Sequence, residues 1–256
     1  LKEILILIHC KSKYMKIEVK KDAFPQYAML YFASVYSKDS SKILYLFRLI
    51  AQIFTKSNYE HSAVCQVIPV GTKTQIITDN ACLTQIKEGV YCVFESNKTH
   101  GNVVQNLNKR LNGLLNKNKQ WTGTVFIQPI TQRNAVKPPI NLTVALDDSI
   151  SNLKKPYTIG TAIFCAFNET KIGKWFYKKL KMKSRVSSSN HCSCSNFINF
   201  QSATSQKVDR EYAITLSPEE LCNHLILHYD ADAPISLIKI QNGNLLWYDK
   251  AMLTVV

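Results

Sequence analysis

No stretch of this sequence stays apolar over the roughly 20 residues that a membrane-spanning helix requires. The apolar opening LKEILILIHC lacks the small-residue cleavage site of a signal peptide and reads as a strand. Gly/Ser linkers, internal repeats and low-complexity runs are absent, which argues against tethered modules and repeat arrays. Zinc-finger, helix-turn-helix and RNP signatures are missing, so the usual nucleic-acid modules are excluded. No second C-x-x-C pair supports HCSC at His191–Cys194, which leaves that stretch plus Cys222 a poor zinc set. His224 and His228 stand four apart but read HLILH, without the glutamate of a metalloprotease helix. No metal or cofactor is expected. Acidic residues are scarce as well: 18 Asp and Glu face 32 Lys and Arg in 256 residues, a net charge of +14.

What is present describes a soluble globular protein, 46% hydrophobic and 20% charged. The eight cysteines sit mostly in apolar segments such as AVCQVI, VYCVFE and AIFCAF. That placement suits buried free thiols. Disulfide frameworks belong to shorter, loop-rich chains, so a reducing, intracellular setting is expected. The Lys-, Asn- and Ile-rich composition fits an AT-rich genome, such as a virus's. The densest charge lies in KIGKWFYKKLKMKSR, where Lys171, Lys174, Lys178, Lys179, Lys181, Lys183 and Arg185 meet no acidic residue. Its functional readings are an anionic membrane surface or, less favoured, nucleic acid, and a solvated basic face stands ahead of both.

The hydrophobic patterning predicts one α+β domain over 1–256, with a core at about 25–225 and flanking strands at 1–24 and 226–256. Strands are expected in EILILIHC, KYMKIEV, AMLYFASVY, HSAVCQVIPV, TQIITD, GVYCVFES and TGTVFIQPI. Helical spacing runs through SSKILYLFRLIAQIFTKS, NVVQNLNKRLNGLLNKN and NLTVALDDSISNLKK, and the basic block suits a further helix. LSPEELCNHLILH adds a capping box, Ser217 with Glu220, and Pro218 at its first position. ISLIKIQNGNLLWYD alternates around Asn-Gly, a hairpin signal.

The chemistry-bearing residues are few. In NHCSCSNFINF, Phe197 and Ile198 follow Cys194 by three and four. That spacing marks an inward helix face and puts Cys194 in the first turn, where the helix dipole favours a thiolate. Backbone N–H groups at Cys194 and Ser195 then form an oxyanion site. Cys192, with Ser195 and Asn196 at the same offsets, fits this pattern less well. His61 opens the apolar run HSAVCQVI and Glu95 ends VYCVFES. A histidine and a carboxylate at strand ends can serve as base and orienting group.

HSAV, then VFES, then CSNFI, then LSPEEL, with KPYTI ahead of the cysteine, resembles the permuted NlpC-type papain-like cysteine hydrolases. In that family the histidine strand precedes the cysteine helix, an order shared with the lecithin retinol acyltransferase branch. The resemblance implies an antiparallel sheet packed on helices, with the nucleophile at a helix N-terminus. Carried over, the roles fall to Cys194 as nucleophile, His61 as base and Glu95 as orienting group. The implied activity is cleavage of an amide, ester or thioester in a peptide-like substrate, or transfer of a lipid acyl chain. A non-catalytic basic binding module on the same fold is the other expectation.

Overall fold

The segment YAMLYFAS explains why the chain forms a two-sided sheet. Its residues are apolar at nearly every position, so both faces of the strand must be covered. In the computed structural model it is β2 (Tyr27–Ser34). Tyr27, Met29 and Tyr31 point into one hydrophobic cluster, while Ala28, Leu30 and Phe32 point into another. The residues described are 15–34, 58–78, 83–97, 100–115, 121–131, 137–153, 155, 192–213 and 216–256. The strand expected at the start, the helix expected over SSKILYLFRLIAQIFTKS and the whole basic block from Lys171 to Arg185 lie outside them.

The fold is mixed α+β, with a seven-stranded antiparallel sheet packed against helices. β2 pairs on one side with β3 (His61–Val67) and on the other with β8 (Gly123–Pro129). β3 continues to β6 (Tyr91–Asn97) and β7 (Gly101–Asn106), and β8 continues to β9 (Ile235–Gln241) and β10 (Asn244–Tyr248). Among the described residues two small ribbons complete the strands: β4 (Gln75–Thr78) with β5 (Leu83–Ile86), and β1 (Ile17–Val19) with β11 (Leu253–Val255).

One face of the sheet is covered by α1 (Leu107–Leu114), whose Leu107, Leu111 and Leu114 are buried at helical spacing. The expected helix over NVVQNLNKRLNGLLNKN is therefore shorter. Its first residues belong to β7, because Val103 and Val104 pair with Glu95 and Phe94 of β6. Asn106 ends the strand and caps the helix, its side chain accepting from the Lys109 N–H. The opposite face carries α2 (Leu142–Ser151), α3 (Cys192–Ala203) and α5 (Pro218–Tyr229), with the short α4 (Arg210–Ala213) between the last two. α5 starts as its sequence predicts: Ser217 Oγ accepts from Glu220 N–H, Ser217 N–H donates to Glu220, and Pro218 stands at the first turn. The β9–β10 turn uses Asn242 and Gly243 at φ 50° and 70°, as an Asn-Gly hairpin demands.

α3 is almost wholly buried, polar residues included. Buried amides must be hydrogen-bonded or they cost stability, and here they act as pins. Asn199 accepts from the Tyr27 hydroxyl at 2.9 Å and donates to Ala145 O and Ser149 Oγ at 2.7 and 2.9 Å. Asn196 donates to Ser62 Oγ on β3 at 2.8 Å. The helix is thus held in register against β2, β3 and α2 by directional bonds as well as by Phe197 and Phe200, both 1% exposed.

Candidate active site

β3 and β6 are antiparallel neighbours with Val64 opposite Phe94. This register brings the first residue of β3, His61, to the same end of the sheet as Glu95, near the end of β6. His61 Nε2 lies 2.8 Å from Glu95 Oε2. The carboxylate is nearly closed off from solvent, its side chain 3% exposed, whereas the imidazole is 22% exposed. One partner is a fixed internal anion and the other faces outward.

Glu95 does not depend on His61 alone. Arg110, on α1, reaches it with Nε at 3.0 Å from Oε1 and with a terminal nitrogen at 3.0 Å from Oε2. Gln105 Nε2 donates to Oε1 at 3.3 Å. Burial pushes the carboxyl upward, but Arg110 and then His61 outweigh it and bring Glu95 down to about 2. The guanidinium also lies over the Phe32 ring, 4.9 Å from its centroid. Phe32 in turn packs against His61, with ring centroids 5.4 Å apart. The imidazole is therefore bonded along one edge and leaned on by an aromatic ring.

The thiol that meets this imidazole is that of Cys192. Burial works against a charged His61, yet Cys192, as charge and hydrogen-bond partner, and Glu95 together raise it to about 10. With Nε2 engaged by Glu95, Nδ1 is the ring nitrogen left for the sulfur. Cys192 opens α3 and is 5% exposed. Cys194 is 1% exposed and packs in the apolar cluster with Phe197 and Ile198. The expectation that Cys194 faces the base is corrected here, and the reason is helical geometry. Residues at i, i+3 and i+4 share a face. Phe197 and Ile198 at those offsets turn Cys194 into the core, while Ser195 and Asn196 give Cys192 the polar flank.

That flank continues along the helix. Ser195 Oγ donates to Asn102 Oδ1 at 3.4 Å, and Asn196 reaches Ser62, next to His61. Beside it lies a cavity of about 250 Å³.

The structure brings together two residues singled out in the sequence, His61 and Glu95, and adds Cys192, Arg110 and Gln105. Arg110 carried no signal, since a basic residue in a lysine-rich helix looks like solvated surface. Gln105 was hidden by reading its strand as helix. Among the described residues no three of His, Cys, Asp and Glu cluster as a metal site, and no helix is long and apolar enough to cross a membrane.

No protein-family model matches this chain, and no curated protein matches it.

Proposed function

We propose that the chain is a thiol hydrolase with Cys192 as nucleophile, His61 as general acid and base, and Glu95 as the orienting carboxylate. We read its fold as a permuted papain-like one, with the histidine strand ahead of the cysteine helix. The observation that supports this best is the continuous chain of contacts Cys192–His61–Glu95–Arg110, assembled from four separate elements at one end of the sheet. Each link has a chemical task. A thiolate is the reactive form of cysteine, and a neighbouring imidazolium stabilises it. The raised His61 suits such an ion pair at neutral pH, and the ionised Glu95 holds the ring in one orientation.

Turnover follows from those roles. The sulfur attacks the carbonyl carbon of an amide, ester or thioester, and a C–S bond forms. Backbone N–H groups in the first turn of α3 hold the oxyanion. The bond to the leaving group breaks as His61 gives that group its proton. Neutral His61 then takes a proton from water, the water attacks the thioester, and the acid and the thiol are released. Peptide-like and lipid acyl substrates both fit this chemistry. The basic segment Lys171–Arg185 supports a substrate presented at an anionic surface.

Alkylation by iodoacetamide at neutral pH, mapped by peptide mass analysis, tests the assignment. Cys192 is expected to label first, and Cys192→Ala to lower both labelling and any hydrolysis roughly a thousandfold or more. Equal labelling of Cys192→Ala and the unmodified protein would sink it.

A further inference from the structure

The cavity beside α3 lies on the same helix flank as the thiol. Cys192, Ser195, Asn196 and Asn199 are spaced i, i+3, i+4 and i+7, one face of a helix, and the last three line the cavity. Glu95 lines it too. A group held there therefore sits within about two helical turns of the sulfur, some 5–10 Å along the axis.

Its walls are chemically divided. Val64, Phe94, Val103, Leu153 and Ile198 give an apolar part, while asparagines, serines and charged residues give the rest. At about 250 Å³ it falls just below the roughly 300–1,000 Å³ of pockets that hold drug-sized ligands. It suits a group of amino-acid size, and a long acyl chain does not fit it. The polar part is fixed in advance. Asn102 donates to Asn152 O, and Asn199 is fully engaged with Tyr27, Ala145 and Ser149.

The charges around the cavity do not balance. Arg110 and His61 offset Glu95. Asp148 feels Lys155, whose ammonium also touches Asn152 Oδ1. Arg210, exposed on the rim, makes no ion pair among the described residues. A guanidinium without a carboxylate is a ready partner for one, since its planar fork matches that anion.

We propose that this cavity is the acyl-side pocket of the Cys192 site and takes a residue-sized acyl group carrying a carboxylate, with Arg210 and Lys155 holding the anion at the rim. The proposal rests on the thiol-hydrolase reading. In its reaction the Cys192 sulfur bonds to the carbonyl carbon and the leaving group departs with the electron pair of its bond and a proton. Water then releases the dicarboxylic product from the thioester.

Three p-nitrophenyl esters test it in the full chain: the hemisuccinate, the neutral butyrate of similar size, and the laurate. The hemisuccinate is expected to exceed the butyrate in kcat/KM by about tenfold, the lower range for a hydrogen-bonded charge, with the laurate slowest. Arg210→Gln, and separately Lys155→Gln, is expected to move the hemisuccinate-to-butyrate ratio toward one. Both positions are exposed, so neither change threatens folding. Cys192-dependent turnover with a ratio near one, or a preference that survives Arg210→Gln, overturns the pocket and leaves the thiol reading standing. Turnover of no ester, or turnover that persists in Cys192→Ala, overturns the thiol reading and the pocket with it.

Discussion

Two thiols two residues apart on α3 occupy different chemical worlds. Cys192 stands at the helix start beside an imidazole, with Ser195 and Asn196 further along its flank. Cys194 is packed among Phe197, Ile198 and the sheet's apolar face. Nothing intrinsic to cysteine separates them. A shift of two residues turns a helical side chain by about 200°, enough to exchange a charged setting for an apolar one. The Cys192 flank of α3 is held by hydrogen bonds, and the Cys194 flank is held by burial.

The sharpest way to break this comparison is to remove the cation behind the Cys192 flank. Arg110→Met leaves Glu95 buried with less compensation. Breaking such a pair costs on the order of 3–5 kcal/mol, readable as a lower urea midpoint. The same variant is expected to raise the His61 pKa in an NMR titration, because Glu95 stays ionised where His61 titrates and a neighbouring cation has been removed. An unchanged His61 titration would show that Arg110 serves packing alone.

The core flank is predicted to respond differently. Cys194→Ser puts a hydroxyl into an apolar cluster and is expected to cost about 1–3 kcal/mol, while the iodoacetamide reactivity of Cys192 persists. If Cys194→Ser abolishes that reactivity and stays folded by circular dichroism, the two flanks are not independent.

The smallest expected effect comes from pH. Glu95 is held below its ordinary value, so its contribution is complete above about 4.5 and is lost as pH falls toward 2. His61 is raised, so its contribution is complete below 6.5 and is lost as pH rises toward 10. Glu60 works against the folded state. Burial raises it from 4.5 to about 7, with Ser34 and His61 opposing, and its Oε1 has no hydrogen-bond partner among the described residues. Stability is therefore expected to peak near pH 4.5, to fall below it as Glu95 protonates, and to fall above it as Glu60 ionises and then His61 loses its proton. Glu60→Gln is expected to gain ~1 kcal/mol at pH 8 and nothing at pH 4, measured by urea unfolding at the two values.

Much of the sheet was legible because its signals are local. Continuous apolar runs give β2, β3 and β6, and the capping box and Asn-Gly turn give α5 and the β9–β10 hairpin. The helix misplaced onto β7 shows the limit. Val103 and Val104 fit either period, and only pairing with β6 decides between them. His61 and Glu95 were readable as polar residues closing apolar strands. The choice between Cys192 and Cys194 was open to sequence logic as well, since the face shared with Phe197 and Ile198 is the core. The spacing was right and its meaning was reversed. Arg110 is a different case, because its role exists only once α1 folds back over the end of β6.

The order of the sheet also bears on how the protein is made. β2 and β8, near its middle, are synthesised early, but β8 is completed by β9, from residues 235–241. Until that segment leaves the ribosome, β8 presents an open apolar edge, the kind of surface that aggregates or draws chaperones. α3 likewise emerges long after the strands that carry His61 and Glu95. His61 and Glu95 are thus made well before Cys192, and the Cys192–His61–Glu95 contacts form only once α3 has been made.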